Sequence, residues 1–186
     1  MIHRLARLPV LVHGGATAVA FGAFQWIRGK LDNSYAASGH PVDFATGQLA
    51  FDARTIEGYY AAMIEAGTLD IYVRTQIIDF GFIASIMALS LLLGTLVARL
   101  GGPGSFGWRA GIAAAMLGVA GASLDVVENL LSFAMLARPQ DIPQALALAY
   151  SSAAAAKFVL LTLAMAVVPV ALVAGAVTRL RAYRPR

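Results

Sequence analysis

No cysteine occurs in the 186 residues, which excludes a disulfide scaffold, a thiolate metal site and a nucleophilic cysteine. Charge is scarce as well. Asp, Glu, Lys and Arg make up 13% of the chain, about half of what a water-facing domain carries. The arginines form no stripe interleaved with aromatics, so the net charge of +4 does not point to nucleic acid. No nucleophile motif, phosphate loop or metal-binding signature is present. The sequence therefore assigns no catalytic residue and no metal, leans away from an enzyme, and leaves any cofactor unknown.

What remains is apolar. Hydrophobic residues make up 59% of the chain, the mean hydropathy is +0.73, and the apolar runs are long enough to cross a bilayer core, which takes roughly 20 helical residues. The sequence predicts one all-α integral membrane domain over 1–186, a four-helix bundle with spans at about 8–27, 76–98, 108–136 and 143–178. The basic start (His3, Arg4, Arg7) and the small residues at Ala18-Val19-Ala20 superficially resemble a signal peptide. The apolar run continues past them, so a retained helix is expected. Gly101-Gly102-Pro103-Gly104 separates the second and third spans. Asp141 with Pro143 reads as the N-cap and first turn of the fourth, where Pro169 predicts a kink, or the helix overhangs or tilts.

The polar outer segment, 29–75, holds one amphipathic stretch from Asp52 to Ala66. Ile56, Tyr59, Tyr60, Met63 and Ile64 fall at helical spacing, and Gly67 suits a C-terminal cap. A short helical cap in the first outer loop is expected, followed by a new helix beginning at Thr68.

Orientation follows from the cations. With the N-terminus inside, Arg4, Arg7, Arg99, Arg109, Arg179, Arg181, Arg184 and Arg186 lie on the cytoplasmic side with no acidic residue, while the other side holds five basic and seven acidic residues outside the spans. That places both termini in the cytoplasm, with the chain multi-pass in the membrane. Small residues at Gly14, Ala18 and Gly22, and at Ala114, Gly118 and Ala122, form stripes that favour packing of the first span on the third or on another chain.

Ionisable residues inside spans are rare and suggest a site. Asp79 lies on the second span, Asp125 and Glu128 on the third, and Lys157 on the fourth, with Asn129 on the face of Asp125 and Glu128. Counting ~1.5 Å per residue from the cytoplasmic ends puts Gln25, Asp79 and Glu128 ~28 Å up, Asp125 ~24 Å and Lys157 ~31 Å. Each helix thus brings a polar group to one outer level. His13, at ~10 Å, stands apart and suits a hydrogen bond to a neighbouring helix. In a structural reading, Lys157 pairs with Asp79 or Glu128, and Asn129 and Gln25 complete the hydrogen bonds. Three carboxylates still face one lysine. Unless Arg74 reaches down, one acid holds a proton or a cation.

The motifs Gln76-Ile77-Ile78-Asp79-Phe80, Asp125-Val126-Val127-Glu128-Asn129 and Ala155-Ala156-Lys157-Phe158 resemble those of an uncharacterised group of small bacterial four-helix membrane proteins. The resemblance covers about Phe51 to Leu163. It implies the same polar layer, a periplasmic helical cap and a place in the bacterial inner (cytoplasmic) membrane, and brings no activity. The first functional reading is a non-catalytic membrane component: an accessory subunit of a larger complex or a binder of a lipid, quinone or pigment. Membrane lipids, and other membrane subunits or further copies of the chain, would be its partners. Proton- or cation-coupled transport through Asp79, Asp125 and Glu128 is the second. An intramembrane acid/base enzyme acting on a lipidic substrate is the third.

Overall fold

A computed structural model describes residues 2–182, so Arg184 and Arg186 of the basic terminus lie outside the described residues. The fold is all-α. Helices follow in the order α1 (Ile2–Leu5), α2 (Val10–Ala37), α3 (Phe44–Gln48), α4 (Ala53–Glu65), α5 (Leu69–Gly101), α6 (Phe106–Leu136) and α7 (Gln144–Ala182). Helices α2, α5, α6 and α7 are long and apolar enough to cross a membrane, as expected of a multi-pass membrane protein.

Two boundaries differ from expectation. Helix α2 continues ten residues past Ile27, because nothing between Lys30 and Ala37 breaks a helix and Gly29 alone is tolerated. Arg28 and Asp32 pair at i,i+4 (3.6 Å), and Ser34 and Thr75 share a hydroxyl hydrogen bond of 2.7 Å. The helix stops at Ser38-Gly39, where Gly39 adopts φ +64°. The second difference is at α7. It starts at Gln144, with the Pro143 carbonyl accepting from Leu146 N–H, and Asp141 is not its cap. Pro169 lies inside the helix.

The amphipathic stretch folds as read. Asp52 caps α4 by accepting from Thr55 N–H (2.9 Å). At the other end Gly67 takes φ +68°, while Thr68 N–H donates to the Met63 carbonyl and Gly67 N–H to that of Ile64. Ile56, Tyr60 and Met63 are buried, whereas Ile64 stays exposed.

The chain forms two compact units. The first comprises residues 1–24, 85–122 and 159–186, and holds the arginine-bearing helix ends. Its helices approach through glycine. A Cβ at Gly94 would lie 2.7 Å from that of Ala115, one at Gly111 2.6 Å from Ala98 N, and one at Gly107 2.9 Å from Gly175 N. Backbones this close need small residues. Of the predicted α6 stripe, Gly118 meets Ser90 of α5, while nothing lies within 4 Å of a Cβ built at Gly14 or Gly22. Counting fours along α2 gives a stripe but not its direction.

His13 is fully buried in this unit. Its Nε2 donates to the Leu92 carbonyl (2.9 Å) and lies 3.2 Å from Thr95 Oγ1, whose own proton goes to Leu91 O. The carbonyl can only accept, so Nδ1 is left as the acceptor facing Arg99 Nη1 at 3.4 Å.

The second unit comprises residues 25–84 and 123–158. Its core joins Ile56, Tyr60 and Met63 of α4 to Tyr72, Met135 and Tyr150. Each fully buried side chain of this kind contributes about 1.5–3 kcal/mol. Polar clamps fix α4 on the start of α7. Ala53 N–H donates to Gln144 Oε1 (2.9 Å), Gln144 Nε2 donates to Phe51 O (3.0 Å), and Ile142 N–H donates to Glu57 Oε1 (2.7 Å). Phe51 is held at φ +53°, a costly angle for an L-residue, with its N–H bonded to Ser151 Oγ (3.0 Å).

Candidate functional site

The second unit gathers most of the predicted polar residues. Asp125 and Glu128 sit about one turn apart on α6, so both face α7. Lys157 of α7 donates to Asp125 Oδ1 (2.8 Å), to Glu128 Oε2 and to Gln48 Oε1 of α3 (3.1 Å). The three donors of an ammonium are thereby used. Asp79 of α5 pairs with Asn129, whose Nδ2 donates to Oδ2 at 2.8 Å. One turn earlier on α5, Gln76 donates to Ser132 Oγ (2.6 Å) and to the Tyr72 hydroxyl (3.0 Å). All of these side chains are buried, Glu128, Asn129 and Ser132 completely.

Of the two partners expected for Lys157, Glu128 is the one it bonds, with Asp125 as a second carboxylate, while Asp79 is held by Asn129. The arrangement departs from the expected one at Gln25. Gln25 is exposed on α2 and makes none of these hydrogen bonds; Gln48 from the short α3 takes that place. Gln76 was visible in the sequence, three residues before Asp79 and hence on its face. Gln48 had no such signal, because five helical residues carry no period.

Electrostatics leave the cluster short of positive charge. Three carboxylates meet one ammonium, and Arg74 is exposed. Burial of uncompensated charge is expensive. Three buried oxygens, Gln76 Oε1, Glu128 Oε1 and Asn129 Oδ1, accept no hydrogen bond. The Asn129 orientation is fixed by chemistry, since turning its amide over would aim an oxygen at the Asp79 carboxylate. In the cap above, burial pushes the Tyr60 phenol up to about 12, so it stays neutral beside Ser132. Burial also lowers His40 below its ordinary value of 6.5. The His40 ring stacks on Tyr35 at 5.1 Å.

The first unit offers a different surface. A cleft of about 190 Å³ is walled by Phe24, Leu89, Leu93, Leu161, Met165 and Val168, with Gly94, Ala114 and Gly118 among its small residues. Ser90 is the one hydroxyl in this lining, and no side chain there is ionisable. No family model, no curated protein and no solved structure matches the chain; its two candidate sites are read from their own chemistry.

Proposed function

We propose that the protein is a non-catalytic component of a bacterial inner membrane, with both termini cytoplasmic, that binds a lipidic ligand. The cleft of the first unit carries this reading. Its walls are aliphatic and aromatic apart from Ser90, which suits an acyl or isoprenoid chain and provides no acid or base for chemistry. The polar cluster of the second unit acts in this account as a clasp: Lys157 ties α3, α6 and α7 together, and Asp79–Asn129 ties α5 to α6.

The test is extraction of lipids, quinones and pigments from protein purified in mild detergent. Wild type should retain one apolar species in stoichiometric amount. Ala164→Phe, which fills the cleft, should lose it, and Val159→Phe on the exposed face of the same helix should keep it. Retention unchanged in Ala164→Phe would remove the ligand from the cleft.

The unpaired Glu128 Oε1 and Asn129 Oδ1 favour a second reading, proton- or cation-coupled transport. It requires a pH- or cation-dependent flux in reconstituted vesicles that Asp79→Asn abolishes. Flux equal in the two proteins excludes it.

A further inference from the structure

A second cavity of the first unit, about 460 Å³, is lined by Arg7, Arg99, Trp108, Pro103 and Gly104. We propose that it binds the phosphate of an anionic phospholipid headgroup. Charge is the first argument. Residues 1–24, 85–122 and 159–186 contain eight arginines and no Asp or Glu, so no acidic side chain of this unit neutralises Arg7 or Arg99. The second is preorganisation. Arg99 uses Nη1 to donate to the Leu8 carbonyl beside His13 Nδ1, which fixes the guanidinium on the cavity wall. Its planar fork has five N–H donors and matches a phosphate. The third is depth. Arg99 ends a membrane-length helix, while the half-buried Trp108 and the exposed Phe106 begin the next. Aromatic residues at a helix end mark the headgroup level, and basic pockets between helices there hold lipid phosphates. These residues are distinct from those lining the apolar cleft, so the two sites can fail independently.

The experiment uses the full chain in a defined mixture of phosphatidylglycerol and phosphatidylcholine, with native mass spectrometry reading the lipids retained. Wild type should retain phosphatidylglycerol in preference. Arg7→Gln should cut that preference about fivefold, the effect of one basic residue near an anionic surface, while Arg109→Gln, exposed and outside the cavity, should leave it intact. Arg7 is chosen because it is exposed, whereas Arg99 also anchors Leu8. Equal retention of the two lipids by wild type, or equal losses in the two variants, overturns the proposal. Excess inorganic phosphate should displace none of the lipid; full displacement assigns the cavity to free phosphate and overturns the headgroup.

Discussion

Lys157 is surrounded by three acceptors from α3 and α6, and two of them are carboxylates that pair with no other cation among the described residues. Lys157→Met therefore strands Asp125 and Glu128 in an apolar interior. A loss of about 3–5 kcal/mol is expected, read as a large drop in melting temperature in detergent. Adding Glu128→Gln to it should restore part of the loss, since one stranded charge is removed. Asp79, Asp125, Glu128, Asn129 and Lys157 were legible in the sequence because charged and amide side chains stand out in apolar runs. Gln25 was misplaced for a physical reason: rise per residue fixes height along a helix but not the direction a side chain takes around it. His40 gives a pH prediction. Its folded pKa lies below the 6.5 of the unfolded chain, so the unfolded state binds more protons in that interval. Stability is complete above pH 6.5 and falls as pH drops toward the lowered value. His40→Gln should flatten that part of the melting-temperature profile; an unchanged slope would assign it to other groups.

Helix α4 shows how an element is held without entering a membrane span. Its C-terminal stop at Gly67 and its buried residues Ile56, Tyr60 and Met63 were readable from local spacing, whereas Asp52, read as the first helical residue, is the N-cap and Ile64, read into the apolar face, is exposed. Its attachment was not readable, because Gln144 lies 91 positions from Ala53. Gln144→Ala removes the acceptor of Ala53 N–H and the donor to Phe51 O. It should cost about 1–3 kcal/mol and raise amide hydrogen exchange across residues 53–60, leaving exchange in 107–122 unchanged. Helix α2 taught the opposite lesson. Hydropathy ends where the apolar run ends, at Ile27, but the helix runs on to Ala37 and ends just before the backbone turns at Gly39. The small-residue stripe of α6 was legible as a packing face. Its partner was not: Ser90 of α5 stands against Gly118, and the backbone approaches of Gly94 and Ala98 are made to Ala115 and Gly111, beside the stripe.

At the scale of the whole molecule, charge is distributed by unit. All three buried carboxylates and Lys157 belong to the second unit, and the first carries arginine without acid. This asymmetry is the basis of the orientation proposed. A chain without cysteine makes it simple to test. Glu65→Cys should react with a membrane-impermeant maleimide in intact spheroplast-free cells permeable at the outer membrane, and Pro103→Cys only after lysis. The reverse pattern would invert the topology. The central claim, a lipidic chain in the cleft of the first unit, is met most directly by crosslinking with a phospholipid bearing a diazirine in its acyl chain, followed by peptide mapping. Adducts concentrated on Phe24 and on residues 161–168, and lost in Ala164→Phe, are the predicted result. Adducts spread evenly over exposed faces such as Val10–Val12 and Val173, with no change in Ala164→Phe, would contradict it.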